Sequence, residues 1–368
     1  MERPTFRCSE VPLLRPNEMA NRGPVSGPSF GRSRFSMLLA VMLLSGSLGY
    51  CSIQLPCAVG DPSCSPEGLL ALVAGSRPPA FLVGTGNGVI YVGSDQGDSW
   101  RSMPLSDPGS LIHGFGEVDG AIVAFGSDSG ANPVFYVSRF LQSWEGPYSI
   151  PLTAELTYGG SNGVAVYAIG ADRQIVSLRP DGSHILINTP AMTQPTMLEP
   201  AGAFWFLGDN VANADRLRYS LDGVAWNQAT PGITDQPVRD IVLINTIYAV
   251  VGQGAATTFY SILGNLGNWG AGTAISPASH ICMGEGVAVA GTDNGSAHQT
   301  SDGQNYGGAI PMGLSANLQA MDCNGAIVVS VPQLPGNWAL SRDSGASWQA
   351  ISDPSGGAHT PLSVSFAP

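Results

Sequence analysis

The sequence repeats one short motif at a nearly constant interval, and this repeat limits the fold more than any other feature. The full form of the motif runs from Ser341 to Trp348 with the pattern Ser-x-Asp-x-Gly-x-Ser-Trp. Weaker copies precede it, and the residues at the aromatic position lie 37 to 44 residues apart: Trp100, Trp144, Ile185, Trp226, Trp269, Tyr306 and Trp348. A period of this length is typical of a fold built from one repeated supersecondary unit. The chain therefore carries seven units.

A second pattern follows the same period. Twelve positions after each of the first six anchors stands an apolar residue: Ile112, Leu156, Met197, Val238, Ile281 and Leu318. Just beyond each lies a short run rich in β-branched or aromatic residues and bounded by Gly or Asn, such as residues 286–291. Runs of this kind indicate buried strands. With one strand leading into the motif and one leaving it, each unit has four strands.

Seven four-stranded units predict an all-β protein, a single seven-bladed β-propeller in which radial repetition protects the sheet edges. An open stack fits less well, because no unit resembles a polar capping repeat. Closing the ring requires an inner strand for the first unit, and two segments compete for that place. Residues 361–367 alternate like a strand, and residues 68–74 form an apolar run. We favour the C-terminal segment, because the residues after Trp348 and those before Trp100 together complete one repeat.

The motif resembles the Asp-box, or BNR repeat, of the sialidase-like β-propeller superfamily, and the resemblance covers about residues 69–367. It implies a tight turn between the third and fourth strands of each blade. In such a turn the Asp and Ser cap backbone amides, the Gly accepts a positive φ and the Trp packs between sheets. It also implies a structural role, on the rim opposite the usual ligand site, for Asp95, Gly97, Trp100, Asp222, Trp226, Asp302, Asp343, Gly345 and Trp348.

The N-terminus has the pattern of an export signal. Arg32 and Arg34 precede the apolar residues 37–51, a segment of signal-peptide rather than membrane-spanning length. Residues 48–51 resemble a lipobox, which would lipidate Cys51; ordinary cleavage is the alternative, since Tyr50 stands where such sites prefer a small residue. The leader and tether resemble those of uncharacterised bacterial surface lipoproteins of this superfamily. We expect a leader and signal peptide (1–50), a tether (51–68), a propeller (69–368), and a location in the cell envelope or outside the cell.

Six cysteines fit an exported protein. Two pairs are candidate disulfides: Cys57 with Cys64 would close a loop in the tether, and Cys282 with Cys323 would join the inner strands of units six and seven. For the second pair, two unlinked buried thiols are the alternative. No spacing of Cys and His indicates a zinc site, and we expect neither a metal nor another cofactor.

The charge of the chain restricts its partners. All 15 basic residues are arginines, and from Cys51 onward nine arginines face 24 acidic residues, a formal charge of about −15. Such a surface repels nucleic acid and anionic lipid, since it lacks the basic groups that neutralise phosphates. We therefore expect a monomer that binds a protein or glycan ligand and touches a membrane through a lipid anchor alone.

Two catalytic activities known in the superfamily can be compared with the sequence. Sialidases hold a substrate carboxylate with three arginines, and here Arg173, Arg216 and Arg239 alone could reach the ligand face. Other glycosidases use paired carboxylates, which the loops of that face could supply. The candidate ligand rim is Asp128, Asp172, Asp235, Asp293 and Arg239. We favour a non-catalytic protein- or glycan-binding module, with a glycoside hydrolase as the alternative. His113 and His280 flank the inner strands and could face the central channel.

Overall fold

Every regular element in the described part of the protein is a β-strand. The computed structural model describes residues 79–210, 217–229, 237–252, 257–262 and 265–368. The described residues all belong to one compact unit, Gly75–Pro368. Within these residues no helix has the length and hydropathy that crossing a membrane requires.

The 28 strands of the described residues follow the four-strand period of the sequence. The first blade in chain order contains β1 (Ala80–Thr85), β2 (Val89–Gly93) and β3 (Trp100–Pro104), and the second contains β4 (Leu111–Val118), β5 (Ala121–Ser127), β6 (Pro133–Ser138) and β7 (Glu145–Ser149). The third contains β8 (Leu156–Ser161), β9 (Val166–Gly170), β10 (Ile175–Leu178) and β11 (His184–Ile187). The fourth contains β12 (Pro195–Ala201), β13 (Phe204–Asp209), β14 (Leu217–Ser220) and β15 (Asn227–Gln228).

The remaining strands build three further blades and return to the first. They are β16 (Val238–Ile244), β17 (Ile247–Gly252), β18 (Thr257–Ile262), β19 (Gly270–Ala274); β20 (Ala278–Met283), β21 (Ala288–Thr292), β22 (Ser296–Thr300), β23 (Ile310–Pro311); β24 (Leu318–Asn324), β25 (Ile327–Pro332), β26 (Trp338–Ser341), β27 (Gln349–Ile351); and β28 (Pro361–Ala367).

These strands form seven four-stranded antiparallel sheets, so the protein is the predicted seven-bladed β-propeller. We number the blades 1 to 7 in chain order, and blade 1 has the strand order β28-β1-β2-β3. Its inner strand is the C-terminal segment, which pairs with β1 from Ala80↔Ala367 to Thr85↔Pro361. The preferred closure of the ring is therefore confirmed. The competing residues 68–74 lie outside the described residues.

The order of strands defines two faces of the ring. Inner strands β4, β8, β12, β16, β20, β24 and β28 all begin at one face, which we call the upper face, and end at the other, the lower face. Loops that join one blade to the next, and loops between second and third strands, lie on the upper face. The turns that carry the repeated motif join third and fourth strands and lie on the lower face.

The motif anchors pack between neighbouring blades. Trp348 contacts a buried cluster that includes Cys282 and Val289 of blade 6, and Trp226 contacts one that includes Tyr167 and Ile169 of blade 3. Trp269 is itself buried, in a cluster shared by blades 4 and 5. Blade 3 is the exception, because its anchor Ile185 is 45% exposed. Except in blade 3, the anchors thus pack their turns against the preceding blade.

The turns have the capping geometry expected of the motif. In blade 7, the Ser347 amide and hydroxyl donate to the two Asp343 carboxylate oxygens at 2.8 and 2.6 Å, and the Trp348 indole N–H donates to the Gly345 carbonyl at 3.0 Å. Gly345 has a φ of +83°, a conformation that glycine adopts without strain. Asp222 and Asp302 accept the equivalent amides in blades 4 and 6.

Blade 1 departs from this pattern at Asp95. There the Ser94 hydroxyl donates to the carboxylate of Asp98 at 2.7 Å, three residues further along the turn. The expected capping role of Asp95 is therefore wrong. The physical reason is that Gly93 occupies the position that Ser341 has in the full motif, so the serine and its acidic partner are both displaced. The Trp100 indole still bonds the Gly97 carbonyl at 3.1 Å.

A disulfide joins Cys282 and Cys323, which are 41 residues apart in the sequence and lie on β20 and β24. The inner strands of blades 6 and 7 are thus covalently linked, and the alternative of two free thiols does not hold in this structure. Cys51, Cys57 and Cys64 lie outside the described residues.

Candidate functional site

Each inner strand carries a β-bulge at the same place. In all seven blades the register between the inner strand and its neighbour shifts by one residue close to the upper face. A bulge inserts one residue into a strand and changes where its side chain points. The seven inserted residues are His113, Thr157, Thr196, Arg239, Ser279, Gln319 and Leu362.

All seven bulge residues line one cavity, the central channel of the ring, with a volume of about 910 Å³. Ligand pockets for small molecules commonly have volumes of about 300 to 1,000 Å³. Below the bulges the wall is formed by the inner strands themselves, with Glu117, Glu199, Asp240 and Asp322 among the lining residues. The channel therefore has a mixed polar upper mouth and an acidic interior.

Two of the interior acids bridge neighbouring blades. Asp240 on β16 accepts the amide of Ile281 on β20 at 2.8 Å, and Asp322 on β24 accepts the amide of Phe366 on β28 at 2.7 Å. Each also accepts the amide of the residue that follows it, at 2.7 Å in both cases. Burial raises the pKa of Asp240 to about 7 and that of Asp322 to about 6, although the amides favour the ionised form.

Glu199 on β12 differs from these two aspartates. No hydrogen bond from a described residue reaches its carboxyl group, which leans over Gly160 of blade 3; a Cβ at Gly160 would lie 2.7 Å from Glu199 Oε2. Burial, and then repulsion by Asp240 and Asp322, raises the pKa of Glu199 well above its ordinary value. Burial, and after it the two neighbouring acids, thus favour the neutral form of the Glu199 carboxyl group.

The upper mouth is nearly neutral despite its charged residues. Arg239 lies 3.6 Å from Asp293, the Nη1 to Oδ1 distance. His280 Nε2 lies 2.7 Å from the Gln319 carbonyl, and His113 Nε2 lies 3.4 Å from Glu155. Burial lowers the pKa of both histidines, that of His280 to about 4, so both rings are uncharged at neutral pH. The expectation that these histidines face the channel agrees with their place in its lining.

The structure separates the candidate rim residues that the sequence grouped together. Arg239 lines the channel and contacts Asp293, whereas Asp128 accepts the amides of Gly130 and Asn132 at 2.8 Å and caps its own loop. Asp172 accepts the Thr153 amide at 3.3 Å. These two aspartates stabilise loops on the upper face and are not among the residues that line the channel. Asp235 lies outside the described residues.

The three arginines needed by a sialidase do not gather in the channel either. Arg173 donates to the Met192 carbonyl at 3.2 Å and is not among the lining residues, while Arg239 is. Arg216 lies outside the described residues. Among the residues that the structure describes, no group of three or more His, Cys, Asp or Glu side chains is placed to hold a metal ion.

Sequence reasoning missed the interior acids. Asp240 and Asp322 follow the apolar positions Val238 and Leu318 by two and four residues, inside segments already predicted to be inner strands. A carboxylate in a largely apolar inner strand is rarely buried without a partner. That signal could have selected both residues. Glu199 sits in the equivalent segment of blade 4, but its lack of a hydrogen-bond partner is visible only in the structure.

The fold and the channel define the protein as a seven-bladed β-propeller with a central cavity. No protein-family model matches the sequence, and no curated protein matches it. Solved structures do resemble the fold. YCF48 bound to D1 peptide has 15% identity and a TM-score of 0.52, with 68% of this chain and 82% of that chain covered.

Two further solved structures have the same degree of similarity. YCF48 from Cyanidioschyzon merolae has 11% identity and a TM-score of 0.52, covering 71% of this chain and 90% of its own. Virginiamycin B lyase from Staphylococcus aureus has 12% identity and a TM-score of 0.54, covering 70% and 92%. At these identities the similarity shows the propeller fold alone.

Proposed function

We propose that the protein is an exported, monomeric, non-catalytic binding module of the Asp-box propeller type. Its ligand is a protein segment or a glycan that enters the channel from the upper face. The observation that carries this proposal is the ring of seven bulges, which places one side chain of every blade around a single cavity. A surface that draws on all seven blades suits recognition of an extended ligand, since each contact is held by a rigid strand.

The arrangement of the carboxylates supports binding over catalysis. A glycosidase needs an acid and a base, both free to act on the scissile bond. Asp240 and Asp322 each use both oxygens to accept backbone amides, and Asp128 caps a loop. Groups that hold the backbone together are poorly placed to exchange protons with a substrate. The complex of YCF48 with D1 peptide is a precedent for peptide binding by a propeller of this shape.

A glycoside hydrolase is the second candidate, and one observation favours it. Glu199, with its raised pKa, shares the channel with Asp240, whose pKa is nearer neutrality. Two carboxyl groups with different pKa values in one cavity are the usual equipment of an acid and a base. Turnover of any aryl glycoside that disappears in Glu199→Gln would establish this activity.

The test of the proposed function combines turnover and capture. We expect the purified full-length chain to hydrolyse neither sialosides nor a panel of aryl glycosides and polysaccharides, and to retain a ligand from peptide and glycan arrays. Hydrolysis lost in Asp128→Asn or Asp235→Asn would contradict the binding module and favour an enzyme. Residue Cys51 is the proposed lipid-anchor site; metabolic labelling with a fatty acid should modify the wild type and not Cys51→Ser.

A further inference from the structure

The interior of the channel has an excess of acidic groups. Its charged and titratable residues come from six inner strands: His113 and Glu117 (β4), Tyr158 (β8), Glu199 (β12), Arg239 and Asp240 (β16), His280 (β20) and Asp322 (β24). Pro368, next to β28, also lines it. Arg239 belongs to the upper mouth, where Asp293 is its partner. Glu199 is repelled by Asp240 and Asp322, and no arginine among the described residues opposes this repulsion.

The acids of the interior are not equivalent in their hydrogen bonding. Four backbone amides satisfy Asp240 and Asp322, so these two carboxylates have a structural role between blades. Glu199 has no such donor among the described residues. The missing Cβ at Gly160 leaves the room that its carboxyl group occupies, 2.7 Å from the place of that carbon. Gly160 thus leaves room for the Glu199 carboxyl group, which makes no hydrogen bond with a described residue.

A second polar group in the same wall also lacks a partner. Ser279, the bulge residue of blade 6, is 6% exposed, and its hydroxyl makes no hydrogen bond with any described residue. It precedes His280 in the chain, and in the ring of bulges it lies between Arg239 of blade 5 and Gln319 of blade 7. A buried polar group without a partner costs free energy unless something else bonds it. Ser279 and Glu199 are therefore independent signs that a polar ligand completes the channel.

We propose that the channel binds its ligand through a positively charged group, an ammonium or a guanidinium, which the carboxylate of Glu199 receives beside Asp240 and Asp322. This inference rests on the proposed binding function and specifies the chemistry of its ligand. The proton balance is simple. The Glu199 carboxyl group loses its proton to solvent, and the cation with its N–H donors replaces that proton as the counter-charge.

The exchange of a proton for a cation gives the test. Isothermal titration calorimetry at pH 6.5 in two buffers of different ionisation enthalpy measures proton release directly. Methylguanidinium is the probe, and methylurea is its neutral counterpart of similar shape. We expect binding of methylguanidinium with release of up to one proton per cation, and no binding of methylurea. Equal affinity for the two probes, or binding without proton release, would overturn the inference.

Variants assign the effect to Glu199. We expect Glu199→Gln to reduce proton release and to weaken methylguanidinium binding at least tenfold. Glu145→Gln, the same change at an exposed acid of the outer strand β7, should leave both unchanged. Equal binding by wild type and Glu199→Gln would contradict the proposal. If Glu199→Gln does not fold, carboxyl-carbon NMR of the wild type measures the pKa of Glu199 with and without methylguanidinium. The Glu199 pKa should fall when methylguanidinium is added, and a pKa that stays constant would overturn the proposal.

Two further experiments distinguish this proposal from an inorganic cation site and from the proposed binding function itself. Addition of calcium chloride should release no proton from the protein. Proton release on addition of calcium, with none on addition of methylguanidinium, would indicate a site for inorganic cations and overturn the proposal. A peptide or glycan that binds the wild type and Glu199→Gln equally well would also overturn it, while leaving the binding function intact. Absence of any array ligand would instead count against the proposed function itself.

Discussion

Phe366, in the C-terminal strand, donates its backbone amide to the carboxylate of Asp322 in the neighbouring blade, at 2.7 Å. Ile281 and Asp240 repeat this contact between blades 5 and 6 at 2.8 Å. The last strand is therefore fixed on two sides, by its ladder with β1 and by this acid. Closure of the ring and the chemistry of the channel depend on the same residue, Asp322.

The first prediction concerns this closure. Deleting residues 361–368 removes the inner strand of blade 1 and its pairing with β1, so the cooperative unfolding transition should be lost or its midpoint greatly lowered. Thermal unfolding followed by circular dichroism measures it. Deleting residues 68–74, the former competitor for the slot, is the control and should leave the curve unchanged. The reverse pattern would show that the C-terminal strand does not close the ring.

The second prediction ranks the motif anchors by burial. Trp269 is 4% exposed, whereas Trp348 is half-buried and keeps one side in solvent. Trp269→Ala should lower the free energy of unfolding by about 3–5 kcal/mol, and Trp348→Ala by about 2 kcal/mol. Urea unfolding of the two variants gives both values. A loss below about 1 kcal/mol for Trp269→Ala would mean that the anchors do not hold adjacent blades.

The third prediction concerns the disulfide between blades 6 and 7. Because it closes a loop with a separation of 41 residues, its removal should lower stability by about 2–4 kcal/mol. Cys282→Ala with Cys323→Ala tests this in urea. Adding a reductant should lower the melting temperature of the wild type and leave that of the double variant unchanged. A wild type insensitive to reductant, with its thiols shown to be free, would contradict the link.

The fourth prediction is a dependence of stability on pH. Between the ordinary carboxyl pKa of about 4 and the raised values in the channel, the folded protein holds protons that the unfolded chain has released. These acids make stability fall as the pH rises from about 4 towards about 7, the raised pKa of Asp240, whereas the lowered pKa of His280 opposes them from about 4 up to the ordinary histidine value. Melting temperatures at half-unit steps of pH measure the slope. Glu199→Gln should reduce it, and an unchanged slope would show that Glu199 is ionised in the folded protein.

The turn aspartates act in the opposite direction at lower pH. Hydrogen bonds from the Asn305 amide and side chain, with that of the Gln304 amide, lower the pKa of Asp302 to about 2. A group with a lowered pKa contributes stability above its unfolded value, and this contribution is lost as the pH falls from about 4 to about 2. Asp302→Asn should remove part of the loss on the acid side and leave the slope above pH 5 unchanged.

The fold could be predicted from the sequence because a propeller is encoded locally. Each blade repeats its own strands, turn and anchor, so Trp100, Trp226 and Trp348 define the register without knowledge of distant contacts. Closure could also be predicted, since the two ends of the chain complete one period. Asp95 could not be assigned correctly, because the choice between Asp95 and Asp98 depends on where the serine of that turn falls.

The site could be predicted far less well. Because loops commonly carry function, the sequence indicated Asp128 and Asp172 as ligand-binding residues. In the structure both aspartates cap loops instead. The channel is instead built from bulges, whose positions depend on pairing with the next strand and leave no mark in the sequence. Glu199 owes its raised pKa first to burial in the channel and then to Asp240 and Asp322, which lie 41 and 123 positions further along the chain.

The most direct test of the binding module is to block the mouth of the channel. Thr157, the bulge residue of blade 3, lines the cavity, whereas Thr153 lies on the same face outside it. Thr157→Trp should abolish binding to peptide and glycan arrays, and Thr153→Trp, the matched control, should bind as the wild type does. Binding that persists in Thr157→Trp, with its melting curve intact, would contradict the claim that the ligand enters this channel.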